Sequence, residues 1–175
     1  GKTLAFGVPM VQRLTSSDAR GLILLPTREL ALQVDEVLRK LTLTLRIRTA
    51  VVIGGASMRP QVEALRRNPH IVIAPPGRLN DHLIQRTLTL DRVRILVLDE
   101  ADRMLDMGFL PQIQTILRAI PKERQTMLFS ATLSPEIMRI ASGTMQLPVR
   151  IEVAPSGTTA ERIARVHAGD HLGGR

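Results

Sequence analysis

Short apolar runs alternate along the chain with longer segments in which apolar residues recur every three or four positions. The short runs, at 22–25, 49–53, 71–74, 95–98 and 127–129, are typical of strands buried on both faces. The longer segments predict helices at 3–14, 29–41, 59–67, 78–84, 110–119 and 135–143. Because strand and helix alternate repeatedly, the pattern predicts an α/β fold in which a mostly parallel central sheet lies between layers of helices.

The C-terminal part of the chain departs from this pattern. An apolar run at 150–153 predicts one more strand, whereas 154–159 is rich in Pro, Ser, Gly and Thr and predicts a linker. The residues after it end in Gly173 and Gly174 and predict a frayed tail. We therefore assign 1–153 to one domain and 154–175 to a linker and tail, which suits a length of 175 residues.

Composition narrows the class of protein and of partner. The chain has no cysteine, which excludes disulfides and thiolate metal sites and makes the cytoplasm the expected compartment. No apolar run approaches the roughly 20 residues that span a bilayer, so no membrane association is expected. A net charge of +8 favours polyanionic partners, with nucleic acid first. A basic surface that serves solubility alone explains the same charge.

The first three residues match the end of a phosphate-binding loop. Gly1, Lys2 and Thr3 fit the last part of G-x-x-x-x-G-K-[ST], and a predicted helix follows them at once. In such a loop the lysine contacts phosphates, the threonine hydroxyl binds magnesium, and the helix N-terminus offers N–H groups to the anion. An ordinary helix start can carry the same residues. Since the sequence opens inside this loop, we expect the chain to be a fragment.

Further polar residues follow two predicted strands. Asp99 and Glu100 come directly after 95–98, where an aspartate can hold magnesium, partly through water, and a glutamate can activate the attacking water. Ser130 and Thr132 follow 127–129 and could bridge to Asp102. Solvated strand ends and helix caps explain these residues too. An acid pair and a phosphate loop on one chain nevertheless favour a nucleotide site.

Three strand-to-helix turns are candidates for binding a phosphate backbone. Their residues are Pro26, Thr27 and Arg28 in the first, Gly54 and Gly55 in the second, and Pro76, Gly77 and Arg78 in the third. Plain turn chemistry explains each turn by itself.

Aromatic residues make up only 2% of the chain, so base stacking is not expected. The four histidines show no metal-ligand spacing and are expected at the surface.

In order and spacing, the motifs G-K-T, P-T-R-E-L, G-G, P-G-R, D-E-A-D and S-A-T resemble the first RecA-like domain of DEAD-box helicases. The likeness covers nearly the whole chain. It implies a RecA-like P-loop NTPase fold, ATP and Mg²⁺ as cofactors, and ATP hydrolysis coupled to local unwinding of RNA duplexes. It also implies a monomeric parent protein with a second RecA-like domain in the same chain.

The resemblance assigns a role to each motif residue. It places Gly1 and Lys2 on the phosphates, Thr3 and Asp99 on magnesium, and makes Glu100 the catalytic base, with Asp99 and Lys2 assisting catalysis. It links Asp102 to Ser130 and Thr132, three residues that would couple ATP to strand separation. Along the RNA path, it places Pro26, Thr27, Arg28, Gly54, Gly55, Gly77 and Arg78.

The chain departs from the family pattern at Pro75, where the family usually has threonine, so one hydroxyl contact to the RNA backbone is expected to be missing. The upstream part of the phosphate loop and the second motor domain are absent from the sequence. The chain alone is therefore expected to hydrolyse ATP poorly and to unwind nothing. Two alternatives stay open: a non-catalytic nucleic-acid-binding module, and a related ATPase that acts on DNA.

Overall fold

Helices and strands alternate in a computed structural model that describes residues 1–152 and the backbone of residues 162–165. The helices are Lys2–Leu14 (α1), Arg28–Leu41 (α2), Met58–Arg66 (α3), Pro76–Ile84 (α4), Ala101–Asp106 (α5), Leu110–Ala119 (α6) and Pro135–Thr144 (α7). The strands are Arg20–Leu24 (β1), Thr49–Val51 (β2), Ile71–Ala74 (β3), Val93–Leu98 (β4), Gln125–Ser130 (β5), Val149–Ile151 (β6) and Arg162–Arg165 (β7).

The strands form one sheet in the order β2-β3-β1-β4-β5-β7-β6. The first five are parallel, while β7 pairs antiparallel with both β5 and β6. In the centre of the sheet Leu24 pairs with Leu98, and Leu98 pairs with Leu128. Because parallel strands end at the same edge, the residues that follow β1, β4 and β5 lie close together.

Each face of the sheet carries its own hydrophobic core. Successive side chains of a strand point to opposite faces, so Leu22 and Leu96 belong to one core whereas Ile23 and Val97 belong to the other. Helices α1 and α2 supply the core around Ile23, and α3 to α7 supply the core around Leu22. The predicted α/β fold, with a mostly parallel sheet between two helix layers, is confirmed.

Helix α1 packs closely against β1. Phe6, Met10 and Leu14, spaced four residues apart on one helix face, are 0–1% exposed. A Cβ at Gly21 would lie 2.7 Å from the Met10 sulfur, so any larger residue there would force the buried Met10 side chain to move. The packing fixes the N-terminal turn of α1 beside the carboxyl edge of the sheet, where Lys2 contacts Asp99.

Every helix and strand predicted within the described residues is present, with ends that differ by a few residues. Two elements were not predicted. Helix α5 has only six residues, too few to show a helical period. Strand β7 lies within 154–175, the range assigned to a linker and tail. The predicted linker at 154–159 and the end of the predicted tail fall outside the described residues.

The helices within the described residues are also informative about membranes. None of them combines the length and the apolar character that crossing a bilayer requires.

Candidate functional site

Lys2 and the acid pair meet at the carboxyl edge of the sheet. The Lys2 Nζ atom lies 3.0 Å from Asp99 Oδ1 and 3.9 Å from Glu100 Oε1. Lys2 is the first residue of α1, and the Leu4 N–H donates to the Gly1 carbonyl at 3.1 Å. The end of the phosphate-loop motif and the D-E-A-D motif, almost 100 positions apart in sequence, therefore form one cluster.

Asp99 is held in a buried position. Its residue exposure is 5%, and its N–H donates to the Leu24 carbonyl of the neighbouring strand at 2.9 Å. One carboxylate oxygen accepts the Glu100 N–H at 3.0 Å. Burial raises the pKa of Asp99, and the Lys2 ammonium partly opposes that rise. A bound cation would favour the charged carboxylate in the same way.

Glu100 stands at a strained turn of the backbone. Its φ of +50° lies in the left-handed region, which costs a residue with a side chain about 1 kcal/mol or more. This turn ends β4 and begins α5, so that the two acids follow the strand without an intervening loop. The Glu100 carboxylate is 28% exposed and lies 3.3 Å from Arg103. It can therefore reach both water and the Lys2 ammonium.

The donors at this edge fit a magnesium ion better than a softer metal. Thr3, half-buried in the first turn of α1, offers a hydroxyl, and Asp99 offers a carboxylate. Mg²⁺ prefers such oxygen ligands and is usually held by one or two carboxylates together with phosphates and water. Within the described part of the chain, no group of three or more His, Cys, Asp or Glu is placed to hold a metal. The residues fit a metal that arrives with a phosphorylated ligand.

The three predicted coupling residues are close together, with one difference from the prediction. Thr132 Oγ1 donates to Asp102 Oδ2 at 3.3 Å, which joins the loop after β5 to helix α5. Ser130 instead donates to the Thr132 carbonyl at 2.7 Å. Ser130 therefore reaches Asp102 only through Thr132.

The predicted RNA-path residues surround a cavity of about 300 Å³ beside this cluster. Its lining residues are Pro26, Arg28, Gly54, Pro75, Gly77, Arg78, Asp81 and Phe109. They come from the turns after β1, β2 and β3, from the N-terminal parts of α2 and α4, and from the loop before α6. The structure thus brings together five of the seven residues that the resemblance placed along the RNA path.

Three of the predicted RNA-path residues already have protein partners, and one is Arg28, whose Nε lies 3.9 Å from Glu29 Oε1. The Arg78 guanidinium donates to the carbonyls of Ile53 and Ala56, each at 2.8 Å, and so holds the turn after β2. The Thr27 hydroxyl caps α2 by accepting the Leu30 N–H at 3.3 Å. Gly55, with φ +71°, lets Arg28 approach to within 3.1 Å of the position a Cβ would take. Arg28 itself is exposed.

Sequence reasoning missed two residues that support this turn. Gln61 Nε2 donates to the Ile53 carbonyl at 2.9 Å, and its Oε1 accepts the Ile53 N–H at 3.2 Å. His82 contacts Gln61 Oε1 at 3.1 Å and Thr87 Oγ1 at 2.8 Å. The expectation that the histidines lie at the surface is wrong for His82, which is 0% exposed. His167 and His171 lie outside the described residues.

The buried His82 predicts a pH dependence of stability. Burial, and then the positive charge of Arg78, lowers its pKa from the ordinary value of 6.5. The unfolded chain therefore binds more protons below about pH 6.5, and the free energy of unfolding should fall as pH drops through this range. Urea unfolding at several pH values should show a shallower acid loss in His82→Gln. Equal slopes in the two proteins would contradict the assignment, and His70→Gln gives the separate contribution of the half-buried His70.

Comparison with known sequences places these motifs in a family. Residues 1–140 match the family described as DEAD/DEAH box helicase. The chain is 48% identical over 162 residues to the ATP-dependent RNA helicase CshA of Listeria monocytogenes, covering 91% of this chain and 31% of that protein. It is 42% identical over 173 residues to the DEAD-box ATP-dependent RNA helicase CshA of Geobacillus kaustophilus, covering 98% and 37%. The chain spans about a third of the length of these curated relatives.

Solved structures resemble the fold as well. The yeast DEAD-box splicing factor Prp28 has a TM-score of 0.78 at 36% identity, covering 83% of this chain and 38% of that chain. A DEAD box protein from the hyperthermophile Methanococcus jannaschii has a TM-score of 0.79 at 39% identity, covering 84% and 40%. These neighbours confirm the RecA-like fold. With the family match extending over residues 1–140, the chain belongs to the DEAD/DEAH box helicase family.

Proposed function

We propose that this chain is the ATP-binding RecA-like domain of an ATP-dependent RNA helicase, which couples ATP hydrolysis to local unwinding of RNA duplexes. The observation that carries the proposal is the cluster of Lys2, Asp99 and Glu100 at the N-terminus of α1. A helix N-terminus with a lysine suits phosphates, and two adjacent acids suit a metal and an attacking water. The relatives named as RNA helicases support the same conclusion.

Each residue of the cluster has a distinct task in this proposal. Lys2 would exchange the Asp99 carboxylate for the β- and γ-phosphates of ATP. Asp99, released from that contact, would hold Mg²⁺ together with Thr3, partly through water. Mg²⁺ would neutralise charge on the phosphoryl group that is transferred. Glu100, which is accessible to water, would accept a proton from the attacking molecule.

The hydrogen bond between Thr132 and Asp102 supports a coupling role. It joins the loop after β5 to helix α5, which directly follows the catalytic acids. A change at Glu100 can therefore be passed to the loop that contains Ser130 and Thr132. We propose that this connection links the nucleotide state to RNA binding.

RNA would lie along the turns that surround the cavity of about 300 Å³. Arg28 is the exposed cation of this surface, and Gly54, Gly55 and Gly77 allow a backbone to approach closely. Arg78 would act by positioning the turn after β2, because its guanidinium already donates to two carbonyls of that turn. Thr27 and Pro26 complete the surface at the start of α2.

The relatives are about three times as long as this chain, so unwinding is a proposal for a longer protein. In that protein residues 1–153 would form the ATP-binding domain, and 154–175 would lead towards a second RecA-like domain. We propose a monomer in the cytoplasm. This chain alone would bind nucleotide but would not separate strands.

The proposal is tested by titrating a fluorescent ADP analogue with magnesium into the chain. Binding that weakens in Lys2→Ala is the expected result. If the analogue does not bind, or binds the chain and Lys2→Ala equally well, the nucleotide site is placed wrongly. Binding of RNA without any nucleotide site would then favour the non-catalytic alternative.

Pro75→Thr should strengthen RNA binding. Pro75 occupies the N-cap position of α4, at φ −66° and ψ 146°, which threonine also adopts, and α4 has no side-chain cap. An added hydroxyl can donate to a phosphate, and one such hydrogen bond should raise affinity roughly 2- to 10-fold. Fluorescence anisotropy with labelled RNA measures the change. Pro75→Val, which has the same shape as threonine without the hydroxyl, should not bind better; equal gains in both variants would count against a hydroxyl contact.

A further inference from the structure

The edge of the sheet opposite the candidate site is lined with cationic residues. The five parallel strands begin at this edge, and a basic residue stands at or directly before each start: Arg48, His70, Arg20, Arg92 and Arg124 for β2, β3, β1, β4 and β5. The loops that lead into these strands add Arg46, Arg67 and Lys122. We call this surface the arginine edge. With strands about 4.8 Å apart, the row is about 19 Å long.

The exposed cations of the arginine edge have no acidic partners. Arg46, Arg67 and Lys122 are exposed, as is Arg94 near the start of β4. Within the described residues, none of these four side chains takes part in an ion pair with a carboxylate.

Several arginines elsewhere on the surface are paired with acids, whereas four others take part in no ion pair within the described residues: Arg13, Arg66, Arg86 and Arg118. On the helices, Arg39 pairs with Asp35, Arg59 with Glu63, and Arg139 with Glu136. The carboxylates near the arginine edge are those of Asp18, Asp91 and Glu123, and the Asp91 carboxylate accepts the Thr89 hydroxyl. Asp91 interacts electrostatically with Arg20 and Arg92, so these acids neutralise part of the positive charge of the edge, and the larger number of basic residues leaves an excess.

Three arginines of this edge are held in place by one residue. Asn68 Oδ1 accepts Arg20 Nη2 at 2.9 Å and Arg92 Nη1 at 3.1 Å, and the Asn68 carbonyl accepts Arg48 Nη2 at 3.1 Å. Arg92 is fixed further by the Asp18 carbonyl, which accepts its Nε at 3.0 Å. Arg20 is buried, at 7% exposure, and supports this arrangement from inside. Arg48 and Arg92 are accessible, and cations that are already oriented lose less conformational entropy when they bind a ligand.

The electrostatic environment of His70 agrees with this arrangement of cations. Burial lowers the pKa of His70, and the charges of Arg48, Arg92 and Arg20 lower it further. Like charges thus crowd around His70. An anion bound at this edge would relieve the repulsion among them.

The candidate site, in contrast, is rich in acids. Asp99, Glu100, Asp102 and Asp106 lie at its edge of the sheet, and Lys2 and Arg103 contact two of them. The net charge of +8 is therefore not concentrated along the proposed RNA path. Much of it lies on the arginine edge, where a polyanion would be attracted first.

We infer that the arginine edge binds the phosphate backbone of RNA as a second contact surface, separate from the cavity that Arg28 and Arg78 line. Only the choice of RNA over other polynucleotides rests on the proposed function. The exposed cations lie at the starts of β2 to β5 and in the loops before them, a span of about 19 Å: Arg46, Arg48, Arg67, Arg94 and Lys122. A row of this length matches several successive phosphates better than a single small anion. Phe6 and Phe129 are buried and Phe109 lies at the opposite edge, so this surface offers no base stacking. Binding there depends on charge and not on sequence.

The test replaces three exposed arginines at once, as Arg46→Gln, Arg67→Gln and Arg94→Gln. Within the described residues none of the three forms a hydrogen bond or an ion pair with a side chain, and the Arg94 guanidinium donates to the carbonyls of Asp91 and Val93. A fluorescein-labelled RNA of roughly 20 nucleotides, without ATP, reports affinity by anisotropy at several salt concentrations. The affinity at low salt should fall roughly tenfold or more, and the salt slope should decrease by about 2.

The matched control is the triple variant Arg39→Gln, Arg59→Gln and Arg139→Gln. It removes the same formal charge from arginines that are paired with carboxylates on helices. Affinity in this control should stay close to that of the unaltered chain. If both triple variants lose affinity equally, only net charge matters, and the inference is overturned. If the first triple variant binds RNA as the unaltered chain does, it is overturned as well.

Three further measurements distinguish a lost RNA contact from lost folding, from a different ligand and from a lost nucleotide site. Arg→Lys at positions 46, 67 and 94 should retain most of the affinity for RNA. If the Gln variant binds weakly while the Lys variant binds well, the loss in the Gln variant comes from the missing charge. Unlabelled poly-glutamate should compete far less well than unlabelled RNA; equal competition would assign the edge to acidic polypeptides instead. Lys2-dependent ADP binding should be unchanged in the arginine-edge variant, so failure of the nucleotide proposal and failure of this one are separate outcomes.

Discussion

Glu100→Gln will lower the rate of RNA-stimulated ATP hydrolysis roughly 10²- to 10⁴-fold, the usual contribution of a general base. Glutamine keeps the size and the hydrogen-bonding atoms of the side chain but cannot take a proton at neutral pH. The carboxylate is accessible to water and lies 3.9 Å from Lys2 Nζ, so its replacement removes one charge without disturbing the core. Nucleotide affinity should change by only about threefold or less, because Lys2 keeps its charge.

The measurement has two parts. Phosphate release by the proposed two-domain protein reports hydrolysis, and the fluorescent ADP titration of this chain reports binding. Glu63→Gln is the matched control, since Glu63 is exposed on α3 and pairs with Arg59 at 3.5 Å, far from the acid pair in the fold. Hydrolysis at the original rate in Glu100→Gln would remove Glu100 from the role of base. Loss of binding as well as hydrolysis would make it a binding residue instead.

Lys2→Ala should weaken binding of the magnesium–ADP analogue roughly 10- to 100-fold, since a hydrogen bond to a charged group contributes about 1.5–3 kcal/mol. The ammonium group is placed at the N-terminus of α1, where helix dipole and backbone N–H groups add to its attraction for phosphate. The same change leaves the buried Asp99 carboxylate without a cation at 3.0 Å. The pKa of Asp99 should therefore rise further, and the chain without ligand should unfold at a lower urea concentration at neutral pH.

The three lysines of the chain supply a control. Lys40 is exposed on α2 and pairs with Glu36 at 2.7 Å, so Lys40→Ala removes the same charge away from the candidate site. Nucleotide affinity should be unaffected by this change. Equal losses in Lys2→Ala and Lys40→Ala would show that net charge, and not a phosphate contact, controls binding. Urea unfolding of both variants without nucleotide separates lost stability from a lost contact.

The elements of the fold were predictable because their signals are local. Apolar runs such as 71–74 and 95–98 are continuous, as strands buried on both faces must be, and α1 repeats its apolar residues at helical spacing. Helix α5 escaped prediction because six residues cannot show a period. Strand β7 escaped because a four-residue segment with arginine at both ends becomes a strand only by pairing with β5 and β6.

Part of the candidate site could also be predicted from the sequence. Motif spacing placed Lys2 at the start of a predicted helix, and Asp99 and Glu100 directly after a predicted strand. In a parallel sheet such positions meet at one edge, whatever the loops between them contain. The hydrogen-bond partners of individual side chains could not be predicted from the sequence. Ser130 was expected to contact Asp102 but donates to the Thr132 carbonyl, because a rotatable hydroxyl can donate to any acceptor that the fold brings near it.

The sequence by itself determined the family, most of the elements in their order and the residues that meet at the carboxyl edge of the sheet, because periodicity and motif order are properties of neighbours along the chain. The tertiary structure decided which cations at the strand starts have no acidic partner and which polar groups are buried. His82 lies in the core because Gln61 and Thr87 contact its ring nitrogens. The exposed cations of the arginine edge form no ion pair within the described residues, because most acids lie on helices or at the opposite edge. The contact between His82 and Gln61 and the separation of these cations from most acids depend on distances between residues far apart in sequence, which only the folded chain sets.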